Sequence, residues 1–91
     1  MLEDIKQSLR INGNDLDTAI RDLIEAAEAD LGLTGITRLS DIDPLVKRAV
    51  TLYCKAHFGY EDVNMANRFE QLYTSLKQHL SLTQEYTEVV E

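Results

Sequence analysis

The sequence predicts an all-α fold: a small bundle of about four helices, with a long central third helix and an extended C-terminal tail. Three observations predict it. Apolar residues recur at helical spacing in four separate segments. Residues that cap or break helices lie between those segments. The third segment is apolar almost all round, so it offers more apolar surface than one side of a bundle needs. At 91 residues the chain fits one domain, read as a helical domain over 1–80 and a polar tail over 81–91.

The first helix rests on Leu2, Ile5 and Leu9, which share one helical face. Glu3 and Asp4 suit the positive N-terminal end. A stop is expected at Asn12-Gly13-Asn14-Asp15, because Gly13 takes the left-handed conformation at little cost. In the second helix Leu16, Ala19, Ile20, Leu23, Ile24, Ala27 and Leu31 follow an amphipathic pattern. Asn14 or Asp15 is placed to cap it, and Gly32 marks its end. Asp17, Asp22, Glu25 and Glu28 give it an acidic outer face.

Residues 32–43 read as a connecting loop, with Leu33, Ile36 and Leu39 as apolar anchors. Asp43 then caps a third helix that has Pro44 at its first position, where the missing N–H costs nothing. Over "PLVKRAVTLYCKAHF" only Lys47, Arg48, Thr51 and Lys55 form a polar stripe, about 100° wide at 100° per residue. The remainder divides into two faces. Val46, Val50, Tyr53 and His57 form one; Leu45, Ala49, Leu52 and Ala56 form the other. One face is expected in the core and the other against a neighbouring subunit, so both supply candidate interface residues. Gly59 ends this helix and "YEDVN" turns the chain. The fourth helix, roughly 65–80, carries Met65, Phe69, Leu72, Tyr73, Leu76 and Leu80 as a continuous stripe. The tail "SLTQEYTEVVE" shows no helical pattern and suits an added strand or a flexible arm.

Sixteen acids against nine bases give a formal charge of −7. That excludes ordinary phosphate-driven nucleic-acid binding, which needs clustered Lys and Arg. The charge is uneven: net −6 over 1–43, +2 over 44–80 and −3 over 81–91. No apolar run approaches a membrane span, and the N-terminal stretch has acids where a secretion signal has bases. A soluble, intracellular protein is expected. One cysteine forms no internal disulfide and points to a reducing compartment. A chain this short buries only about 60–65% of its unfolded surface. Association is then the remaining route to extra stability.

Cys54 and His57 are i and i+3, neighbours on one helical face. A thiol beside an imidazole can become a reactive thiolate. Nothing in the sequence supplies an oxyanion hole or an orienting group, and a free cysteine is among the most buried residue types. Zinc needs four ligands, and Cys54, His57 and His79 lack the paired spacing of such sites. The acids at Asp15 and Asp17, and at Asp41 and Asp43, lack the full calcium-loop pattern and read as caps and loop solvation. No phosphate-binding glycine loop is present. Tyr53, Phe58, Tyr60, Phe69 and Tyr73 read as core or interface. No catalytic, cofactor or metal residue is expected, and no enzymatic activity.

Taken in order, "SLRINGNDLD", "TAIRDLIEAAEADL", "DPLVKRAVTLYCKAHFGYED" and "RFEQLYTSLKQHLSL" resemble the small head–tail connector proteins of tailed bacteriophages, also known as head-completion or DNA-packaging adaptors. The resemblance implies a structural protein of the virion that assembles as a ring, commonly dodecameric, beneath the portal protein. Such a ring extends the DNA channel without sequence-specific binding, receives stopper or tail-completion proteins, and forms in the host cytoplasm. It implies no membrane association and brings no catalytic residue. The acidic balance suits a channel through which DNA slides, since like charge prevents sticking. Asp22, Glu25 and Glu28 are expected to line or rim that channel, and the tail to add to a portal or neighbour surface. The alternative is a small helical interaction module or regulatory adaptor, of phage or bacterial origin, that binds one partner.

Overall fold

The computed structural model describes residues 1–37, 43–58 and 63–87. They form α1 (Leu2–Ser8), α2 (Asp17–Leu33), α3 (Pro44–His57), α4 (Val63–Ser81) and a final turn, α5 (Gln84–Thr87), with no strand among them. The fold is the expected small all-α bundle. Helix α3 is its hub, packed against α2 and α4 and touching α1, while α5 lies on α4. None of the described helices is long and apolar enough to cross a membrane.

Helix α1 ends earlier than expected. Arg10, with φ of 58°, is the left-handed residue that closes it. The Arg10 N–H donates to Gln7 O (3.1 Å) and the Ile11 N–H to Lys6 O (2.9 Å). This pair of bonds satisfies the last carbonyls of the helix. Gly13 is also left-handed, but it belongs to the connection rather than to the cap.

Helix α2 departs from its sequence reading at both ends. Leu16 occupies the N-cap, with no side-chain cap bond, so neither Asn14 nor Asp15 caps it as expected. Asn14 Oδ1 instead accepts a bond from Lys6 Nζ at 3.2 Å. Lys6 Nζ also lies 2.8 Å from Asp17 Oδ1, with the two side chains only 6% and 18% exposed. That oxygen is shut away from water and lacks an aligned hydrogen bond, so the contact is ionic. Asp17 therefore leaves the acidic outer face and ties α1 to α2. The buried stripe is narrower than the sequence pattern: Ile20, Ile24, Ala27 and Leu31 are buried, whereas Leu16 and Ala19 are exposed.

The helix runs through Gly32 and stops at Gly35, whose φ is 90°. Gly35 N–H donates to Gly32 O (3.1 Å) and Ile36 N–H to Leu31 O (3.4 Å), the arrangement seen at Arg10. Ile36 then folds into the core, as a residue after such a cap commonly does. Leu33 does not serve as an anchor, being 86% exposed. Leu39, the third expected anchor, lies outside the described residues.

The start of α3 matches its sequence signals. Asp43 Oδ1 accepts from Leu45 N–H (2.9 Å) and Val46 N–H (3.3 Å), with Pro44 in the first turn. The expected terminator Gly59, with Tyr60, lies outside the described residues. In the tail, the described part is a helical turn rather than a strand. Tyr86 is buried; its carbonyl accepts the Thr37 N–H at 2.7 Å and its hydroxyl donates to Asp43 Oδ1 at 3.1 Å. One carboxylate thus caps α3 and holds the tail.

Candidate functional site

Three surfaces and clusters are open to chemical reading: the Cys54–His57 helix turn, the polar–aromatic seam between α2, α3 and α4, and the groove outside α3.

Cys54 is fully buried, and burial alone pushes its thiol up to about 11. A thiol so placed stays protonated near neutral pH and is a poor nucleophile. His57 turns outward to Glu70, with Nε2 2.9 Å from Oε2. The imidazole therefore contacts the Glu70 carboxylate rather than the thiol. His79 is exposed near the end of α4. Among the described residues, no three His, Cys, Asp or Glu side chains are grouped to hold a metal ion.

The seam joins residues far apart in sequence. The Tyr73 hydroxyl donates to Asp30 Oδ2 at 2.5 Å, and Lys77 Nζ reaches the same oxygen at 3.0 Å. Tyr53 stands edge-on to Tyr73 with ring centroids 5.2 Å apart and stacks at a tilt on His57 at 4.3 Å. The Tyr73 bond, aided by Lys77, holds the Asp30 carboxyl below its ordinary range despite its partial burial. Burial pushes Tyr73 upward, and the charge of Asp30 adds to it. Burial likewise raises Tyr53, with Asp30 and Glu70 contributing. Tyr73 and Lys77 both satisfy Asp30, and the Tyr53 ring packs on Tyr73, so the seam clamps α2, α3 and α4 together. Sequence reading grouped the tyrosines but missed Asp30. A signal existed: Asp30 shares a helix face with Leu23 and Ala27, and an acid on an apolar face needs a partner.

The candidate interface residues of α3 separate by depth. Val46, Ala49 and Val50 are fully buried within the chain, and Leu52 nearly so. Tyr53 and Ala56 are half-buried, while Leu45 and His57 are exposed. The core thus draws Val46 and Val50 from one expected face and Ala49 and Leu52 from the other. A division into two opposite faces does not describe the packing. Of the candidate channel acids, Asp22 and Glu25 are exposed on α2 and Glu28 is half-buried.

The stripe of α3 that sequence reading described only as polar borders a further feature. Lys47, Arg48, Thr51 and Lys55, with Ser8 and Pro44, face Leu52, Phe69 and Leu72 across an open groove of about 480 Å³. A second hollow continues it past Lys55 and Phe69 to Arg10 and Met65. Among the described residues, neither lining includes an acid. Lys55 Nζ lies 5.3 Å from the Phe69 ring centroid, and Lys47 pairs with Asp4 at 3.3 Å on the exposed surface. The groove therefore combines an apolar floor with cationic walls.

A family model described as phage connector protein matches residues 1–87 of the chain. No curated protein and no solved structure gives a match.

Proposed function

Because the chain belongs to the phage connector protein family, we propose that it is the structural head–tail connector of a tailed phage, forming a ring beneath the portal. In this reading the ring extends the DNA channel and receives stopper or tail-completion proteins. The protein then resides at the head–tail junction of the virion, after assembly in the host cytoplasm. The observation that carries the reading is the family match along every described helix. Three further features support it. The net charge of −7 lets DNA pass without adhering. The buried, protonated thiol of Cys54 gives no activated nucleophile. The chain leaves a cationic, apolar-floored groove and exposed Leu33, Met65 and Leu72 available to neighbours.

Native mass measurement with and without the cognate portal protein tests the proposal. A ring, free or formed only on portal, is the expected result. A stable dimer with no portal affinity would instead identify a small interaction module.

A further inference from the structure

We propose that the groove outside α3 receives the outer face of α2 from a second copy of this chain, each copy offering one surface and accepting the other. The inference rests on the ring reading above and names the contact that would build the ring.

The groove sets the chemistry of its occupant. Its walls hold Arg48 and Lys55, its floor holds Phe69 and Leu72, and no acid lines it among the described residues. An occupant must bring carboxylates beside an apolar contact. The outer face of α2 has that composition. Asp22, Ala26, Ala29 and Leu33 stand at i, i+4, i+7 and i+11, one face of a helix, with Glu25 at its edge. All are exposed, and Leu33 is the most exposed apolar residue of the helix. The alanines keep that face low, which lets a second helix approach closely.

The spacing also agrees. Glu25 to Leu33 and Lys47 to Lys55 are each eight residues, about 12 Å of helix. Leu33 seated on Phe69 and Leu72 beside Lys55 brings Glu25 to the Arg48 end. The outer face of α2 and the groove are different surfaces of one molecule, so their contact is heterologous. Repeated heterologous contacts close into a ring when the rotation allows. Asp22 and Glu25 then lie in the wall of the ring, not on its lumen.

Complementary full-length variants test the contact. Arg48→Glu with Lys55→Glu closes the groove; Asp22→Lys with Glu25→Lys closes the face. The wild type is expected to form higher oligomers by native mass spectrometry, alone or on portal. Each variant alone should lose assembly at least tenfold, a one-to-one mixture should recover assembly with the two variants alternating, and all four reversals in one chain should restore rings. Leu33→Asp, at a site too exposed to affect folding, should also lose assembly. Variants that keep the wild-type distribution would overturn this contact and leave the ring reading intact. A wild type that forms no oligomer, with or without portal, would overturn both.

Discussion

The two faces of α3 lie on the same fourteen-residue helix and have opposite fates. Val46, Ala49, Val50 and Cys54 are fully buried against α2 and α4. One turn away, Lys47, Arg48, Thr51 and Lys55 line an open groove. The first face is fixed by close packing, where a change of one methylene is felt. The second is held by little beyond the exposed Lys47–Asp4 ion pair, of a kind that contributes about 0–1 kcal/mol, and the Lys55–Phe69 contact. The difference teaches where the chain stores its stability and where it is free to recognise something else.

The largest expected effect comes from charging the packed face. Val50→Asp places an unpaired carboxylate among apolar groups and should cost about 4 kcal/mol or more, a large part of the stability of a small domain. Urea unfolding would show it; a wild-type midpoint would break the comparison. A buried lysine sharpens it next. Lys6→Met strands the Asp17 carboxylate and should cost about 3 kcal/mol, while adding Asp17→Leu should recover most of that, since an apolar pair can replace a buried ionic one.

Two pH limbs follow. The folded pKa of Asp30 is depressed, so its contribution is present above the ordinary carboxylate value of 3.8 and is lost as pH falls through the folded pKa. Tyr73→Phe should remove the main cause, cost about 1–2 kcal/mol at neutral pH and flatten the acid limb. The folded pKa of Cys54 is raised from 9.0 to about 11, so its contribution is complete below 9 and fades as pH climbs to 11. Thermal melts of Cys54→Ala across that window should lose this slope. The smallest effect belongs to the open face: Arg48→Glu should leave stability within about 0.5 kcal/mol. A larger loss in a melt would mean that the groove side also holds the fold.

Local signals were legible in the sequence. Asp43 and Pro44 announced the start of α3, and the bonds to Leu45 and Val46 follow from that pair alone. The left-handed stops were legible only in part. Gly35 closes α2 where Gly32 was expected to, and Arg10 closes α1 in place of Gly13. Both shifts share a cause: the residue that follows, Ile36 or Ile11, finds apolar contact when the turn falls there. The groove was half visible, since its basic stripe was evident but its floor comes from α4, twenty residues away in sequence. The tail was not visible, because Tyr86 is held by Thr37 and Asp43 across more than forty positions.

By itself the sequence determined the four main helices, the cap of α3, the absence of an internal disulfide and the acidic balance, because each depends on neighbours in the chain or on composition. The tertiary structure decided which face of α3 is core, that Asp17 pairs with Lys6, that Asp30 anchors Tyr73 and Lys77, and that a cationic groove lies beside an apolar floor. Periodicity reports that a helix has apolar sides. Only the placement of the other helices determines which side loses its water.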